Sequence, residues 1–125
     1  MNYAILNQYD IKFEKINGRK QTNSINNELL ERYIYIFKNL SNVDKFLQEI
    51  DKAKNGQITD AESFLYGSNP PIMDYGADDG GTYINADISP NSITISESDI
   101  INDSITIPLD DWREILLSWK EFLQS

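Results

Sequence analysis

Between Glu28 and Leu40 the apolar residues Leu29, Leu30, Tyr33, Ile34, Ile36, Phe37 and Leu40 form a broad stripe. The spacing predicts a helix over 28–40 with one face buried, and Ser24 to Asn27 offer N-cap candidates. Ser41-Asn-Val-Asp44 then reads as a fresh N-cap with a carboxylate in the first turn. Val43, Phe46, Leu47 and Ile50 predict a second helix that stops at Asn55-Gly56, a left-handed C-cap. With almost no loop between them, these helices form a hairpin or a sharp corner. The first 27 residues carry two patterns at once. Ile5, Tyr9, Phe13 and Ile16 have helical spacing, while Ile11 and Phe13 alternate. Asn17-Gly18 is a strong turn signal, which favours a strand ending there and a polar loop, GRKQTNS, after it.

Past Gly56 the period changes to two. Ile58 to Tyr66 reads as a strand, Gly67-Ser-Asn-Pro-Pro71 breaks it, and Asp74 to Gly81 reads as a flexible acidic loop. Tyr83–Ile88 and Ser92–Ser98 suggest a hairpin through Ser89-Pro90-Asn91, with Ser104–Ile107 repeating the alternation. Ile93 and Ile95 alternate with Thr94 and Ser96, so one face is buried and one is wet. Pro108 opens a last helix where its missing N–H does no harm, and Asp110 and Asp111 sit at the positive end of its dipole. Trp112, Ile115, Leu116, Trp119, Phe122 and Leu123 line its apolar face; the two tryptophans read as core. The order predicts an α+β fold: N-terminal helices, an antiparallel meander sheet of about three to five strands, and a C-terminal amphipathic helix packed on the sheet.

Length adds that residues 1–125 make one domain, with no repeat and no linker. The chain buries roughly two-thirds of its unfolded surface. With no Cys and no His, thiolate chemistry, disulfides, Cys- or His-ligated metals and imidazole catalysis are excluded. No catalytic residue and no cofactor is assigned. The N-terminal stretch lacks a secretory pattern and no run approaches a membrane span, so a cytoplasmic protein is expected.

Charge alters the picture most. From Asn55 to Trp112 there is no Lys or Arg, while Asp60, Glu62, Asp74, Asp78, Asp79, Asp87, Glu97, Asp99, Asp103, Asp110 and Asp111 give a formal −11. Residues 1–54 hold nine basic against seven acidic residues, and the chain totals −9. A one-sign block attracts a basic partner and repels nucleic acid and anionic membranes. Tyr66, Tyr75 and Tyr83 lie in or beside it, a residue type that serves interfaces and sheet packing alike.

One motif invites a metal. Asp51-Lys-Ala-Lys-Asn55-Gly56-Gln-Ile58-Thr-Asp-Ala-Glu62 matches a calcium-binding EF-hand loop at positions 1, 5, 6, 8 and 12. Against it, position 3 is Ala53, positions 2 and 4 are lysines, and the Pro-Pro break leaves little room for an exiting helix. A helix C-cap at Gly56 explains the same residues, and no metal ligand is assigned. Asp74, Asp78 and Asp79 could hold a hard cation or share a proton as an acid–base pair, but spacing alone specifies neither.

The helix ending at Asn55-Gly56, the Ile93-Thr-Ile95 strand and the closing run Ile107-Pro-Leu-Asp-Asp-Trp-Arg-Glu-Ile-Leu-Leu-Ser-Trp-Lys-Glu-Phe-Leu123 together carry a resemblance over residues 42–123. This part of the chain resembles the small immunity proteins that bacteria encode beside polymorphic toxins, including those of contact-dependent growth inhibition. The resemblance implies a partner, not a catalytic motif: the C-terminal domain of a cognate toxin, typically a basic nuclease, bound 1:1 and blocked from its substrate. It implies a protein that is monomeric when free and binds neither nucleic acid nor membrane. The acidic block fits that partner. The expected contact surface is Asp74, Asp78, Asp79, Asp87, Glu97, Asp99 and Asp103, with Tyr75 and Tyr83 as aromatic anchors. The alternatives are a small calcium-binding module using loop 51–62, a general nucleic-acid mimic, and a small carboxylate enzyme.

Overall fold

The computed structural model describes residues 1–56, 83–98 and 104–125, and of Tyr83, Asn85, Asp87 and Ser98 it describes the backbone. The chain begins with a short helix, α1 (Tyr3–Gln8), capped by Asn2, whose side chain accepts the Ile5 N–H at 3.2 Å. A tight hairpin follows, β1 (Lys12–Ile16) and β2 (Arg19–Asn23), paired from Lys12↔Asn23 to Ile16↔Arg19. Its two-residue turn has positive φ at both positions, 53° at Asn17 and 81° at Gly18. Such a turn matches the twist of paired strands and forces the chain straight back along β1. The expected polar loop GRKQTNS is therefore mostly a strand. Phe13, paired with Thr22, packs on Trp119 and Phe122, so tertiary contacts hold a segment whose own residues are poor strand formers.

The helix expected over 28–40 is shorter: α2 spans Glu28–Ile36 and a second helix, α3, spans Leu40–Lys54. Phe37 leaves helical geometry (φ −89°, ψ 67°), and its ring is wholly buried. Its carbonyl accepts the Trp119 indole N–H at 2.7 Å instead of a helical amide. Asn39, not Ser41, then caps α3, its side chain accepting the Ser41 N–H at 2.8 Å. α3 ends as expected at Asn55 and Gly56, the latter at φ +71°.

Strands β3 (Tyr83–Ile88), β4 (Ser92–Ser98) and β5 (Ser104–Pro108) form an antiparallel meander in that order. The fold is α+β, with the described strands divided between two small sheets instead of a single meander. The expected strand over 58–66, the break at 67–71 and the acidic loop 74–81 fall outside the described residues. Pro108 is the cap of the last helix, α4 (Leu109–Gln124), which starts one residue later than expected. The Leu109 N–H donates to the Asn91 carbonyl at 3.0 Å, which fixes the start of α4 against the β3–β4 turn.

α4 packs on the sheet and runs antiparallel to α3. Asp44 lies opposite Lys120 (2.7 Å), Asp51 opposite Arg113 (3.0 Å) and Lys54 opposite Asp110, so three ion pairs set the register of the two helices. Beneath them Tyr33, Phe37, Phe46 and Trp112 form a closed aromatic cluster, with ring centroids 5.2–5.6 Å apart along its four sides. Trp112 and Trp119 are both fully buried, as the helical stripe predicts. Among the described residues no helix is long and apolar enough to cross a membrane.

Candidate functional site

Of the nine expected contact residues, Asp74, Tyr75, Asp78, Asp79, Asp99 and Asp103 lie outside the described residues. Tyr83 and Asp87 occupy β3 positions paired with Ser98 and Thr94. Glu97 stands apart. It pairs with Ile84 on β3, continues the row of Ile93 and Ile95, and is only 6% exposed. Its two carboxylate oxygens accept from Arg32 Nη1 and Nη2 on α2, at 2.9 and 2.8 Å. This two-point, charge-assisted pair bolts α2 to the sheet, so Glu97 is a structural carboxylate and not part of an open contact face. The signal was present: the period-two alternation that buries Ile93 and Ile95 also buries residue 97.

The other described side chains of the acidic block are engaged as well. Asp110 pairs with Lys54. Asp111 accepts the Tyr9 phenol, and burial first, then Asp111, pushes that phenol above its ordinary range. This contact belongs to a series that holds α1 along α4. The Asn2 N–H donates to Ser118 Oγ at 3.0 Å, the Asn2 amide donates to Glu114 at 3.0 Å, and the Met1 amine meets Glu121 at 2.7 Å.

The EF-hand match loses its first ligand to the same helix. Asp51 accepts from Arg113 Nε, and the backbone from Asp51 to Lys54 is α-helical, where positions 1 to 4 of a calcium loop would have to turn around the ion. The remainder of that loop lies outside the described residues. Among the described residues no group of three or more acidic side chains is placed to hold a metal ion.

Among the described residues, an open concave surface lies elsewhere, where β2 faces α2. Tyr35 lines both parts of this groove. Its wider end, about 420 Å³, is lined by Gly18, Arg19, Lys20, Lys38 and Leu123. Its narrower end, about 210 Å³, is lined by Gln21, Thr22, Glu31 and Arg32. The Thr22 hydroxyl donates to the Glu31 carbonyl at 3.0 Å and holds the two walls together. Burial, then the charge of Glu28, raises the Glu31 carboxyl above its ordinary range.

At the wide end the cations are placed in three ways. Lys20 Nζ donates to the Leu123 and Ser125 backbone oxygens at 2.7 and 2.6 Å and so closes the C-terminal end of α4. Lys38 Nζ lies 4.1 Å from the centroid of the Tyr35 ring, a cation–π contact. Arg19 is exposed at the hairpin tip, and neither it nor Lys38 makes an ion pair with any described residue. No acidic side chain lines this end. Reading residues 18–24 as a loop concealed the groove, because only a returning β2 strand brings Arg19 and Lys20 to α2. The strict positive-φ turn at Asn17-Gly18 was the signal that could have shown it.

Comparison of the chain with protein-family models, with curated proteins and with solved structures finds no match.

Proposed function

We propose that this chain is an immunity protein: a stoichiometric inhibitor that binds the C-terminal domain of a cognate toxin and blocks its substrate surface. The observation that carries the reading is the charge segregation. Glu97, Asp110 and Asp111 are engaged within the fold. That leaves Asp60, Glu62, Asp74, Asp78, Asp79, Asp87, Asp99 and Asp103 in a stretch without a single Lys or Arg. A field of that sign favours a basic partner, and electrostatic complementarity accelerates encounter and rejects wrong partners. Speed matters to an inhibitor that must bind before its target acts. A nuclease with a basic substrate cleft fits, as does a monomeric inhibitor resident in the cytoplasm where such a nuclease acts. The resemblance of residues 42–123 to immunity proteins supports the same reading.

The contact set in this proposal is Asp74, Tyr75, Asp78, Asp79, Tyr83, Asp87, Asp99 and Asp103; Glu97 is withdrawn from it. The test is a binding titration against the C-terminal domain encoded by the gene immediately upstream, at two salt concentrations. The expected result is tight 1:1 binding that abolishes the domain's toxicity and weakens as salt screens the acidic block. Replacing Asp78 and Asp79 by Lys is expected to remove protection without unfolding the chain. No binding at either salt concentration overturns the proposal. Equal inhibition of unrelated basic nucleases would point to a general nucleic-acid mimic instead.

A further inference from the structure

The geometry points to the wide end of the β2–α2 groove as a second docking point, one that takes the carboxylates of an acidic segment on a protein partner. The inference rests on the reading of this chain as a protein-binding inhibitor and adds a contact of opposite sign to it. Arg19 and Lys38 line an opening of about 420 Å³ together with Tyr35 and Leu123. Lys38 is already ordered by the ring beneath it, so less side-chain freedom is lost when an anion arrives. Lys20 is committed to the end of α4 and contributes field, not a direct contact. Lys15, the cross-strand partner of Lys20, adds to it. Two cations directly opposite on a hairpin repel each other, and an anion bound nearby relieves that repulsion.

The chemistry of the occupant follows from the magnitudes. A nucleic acid binds through many phosphates, each neutralised by a cation. This groove has two uncommitted cations in a chain of net charge −9, and a polyanion is repelled by the rest of the molecule. One or two carboxylates beside an apolar or aromatic side chain match a pair of cations that share their opening with Tyr35 and Leu123. Such a site also supplies what a one-sign acidic surface lacks. Any basic protein is drawn to the acidic block, but only a partner with an acidic segment at the right distance satisfies both signs, which is how charge placement produces discrimination.

The test is an amide chemical-shift titration of the labelled protein with the blocked peptide acetyl-Glu-Phe-Glu-amide as the probe, and with an oligothymidylate of three nucleotides, which carries the same charge, as the nucleic-acid counterpart. The peptide is expected to shift the amides of Gly18 to Gln21 and Tyr35 to Lys38, weakly and with strong salt dependence. The double variant Arg19→Glu/Lys38→Glu is expected to lose about tenfold in that affinity. Both residues are exposed, so its melting temperature should match that of the parent. The inference is overturned if no localised shifts occur up to millimolar probe, if the double variant binds as well as the parent, or if the oligothymidylate binds the same amides at least as tightly. The probe is independent of any toxin, so failure here leaves the toxin titration standing, and failure of that titration leaves this one interpretable.

Discussion

Arg32 and Glu97, 65 residues apart, meet as a parallel pair of N–H···O bonds of 2.9 and 2.8 Å. The carboxylate is 6% exposed, so water cannot replace a lost partner. Removing one member of such a pair leaves a buried charge uncompensated and costs about 3–5 kcal/mol. Arg32→Ala, which leaves the Glu97 carboxylate buried without its partner, should therefore lower unfolding free energy by about 3 kcal/mol in a urea titration. Replacing both residues by apolar ones of similar volume, Arg32→Met with Glu97→Leu, should recover most of that loss. An Arg32→Ala protein of parental stability would show that the pair is dispensable.

The two tryptophans of α4 separate packing from hydrogen bonding. Both are fully buried, but Trp119 donates to the Phe37 carbonyl at 2.7 Å, whereas the Trp112 indole N–H has no acceptor among the described residues. Trp→Phe at either site removes similar volume. Only at position 119 does it orphan a carbonyl that has left its helix, a further cost of about 1–3 kcal/mol. Thermal unfolding should thus rank Trp119→Phe below Trp112→Phe, and the reverse order would refute the role given to this bond.

The hairpin turn offers a test confined to the backbone. Gly18 sits at φ +81°, and a Cβ added there meets nothing within 4 Å. Gly18→Ala should cost about 1 kcal/mol through the left-handed conformation alone. Asn17→Gly should be near neutral, because Asn and Gly both tolerate positive φ. Chemical denaturation of the two variants distinguishes these outcomes.

Two groups near α1 give the stability profile opposite slopes at its two ends. The Asn26 N–H, then the Ile25 N–H and the Ser24 hydroxyl, hold the Asp10 carboxyl below the usual carboxylate range. A lowered folded value means that stabilisation is present above the unfolded value, about 3.9, and is lost as pH falls through the folded one. Asp10→Asn should flatten the acid limb of the unfolding curve. Tyr9 is shifted the other way, upward, by burial and by Asp111. Its contribution is present below the unfolded value of about 10 and is lost as pH rises through the folded one, so Tyr9→Phe should flatten the alkaline limb. Melting temperature followed across pH checks both.

The sequence announced those parts of the fold in which one period operates alone. The stripe of Val43, Phe46 and Ile50 and the stripe of Trp112, Ile115 and Trp119 are helical without competition, and both helices lie where periodicity puts them. The β3–β4 hairpin and β5 were equally legible from alternation. What escaped depends on contacts far apart in sequence. α2 stops at Ile36 because the Phe37 carbonyl serves Trp119, 82 residues away, and nothing local to Phe37 reveals that. Residues 19–23 become a strand because Phe13 and Thr22 sit between α2 and α4. At the candidate site the error was one of parity. Choosing carboxylates by charge took Asp87 and Glu97 together, although the register pairs one with Thr94 and the other with Ile84, positions that belong to opposite faces of a pleated sheet.

The series that holds Met1, Asn2 and Tyr9 against Glu121, Ser118, Glu114 and Asp111 has a consequence during synthesis. The ribosome makes α1 about a hundred residues before the helix that receives it, at roughly 5–20 residues per second. Until α4 emerges, the N-terminal helix has none of these anchors, the Phe37 carbonyl lacks its indole, and α3 lacks the opposing charges that align it. A nascent or prematurely terminated chain is therefore unfinished throughout, not merely at its end, and loses its N-terminal anchoring together with its C-terminal helix. Truncated products should be cleared by proteolysis instead of persisting as folded fragments.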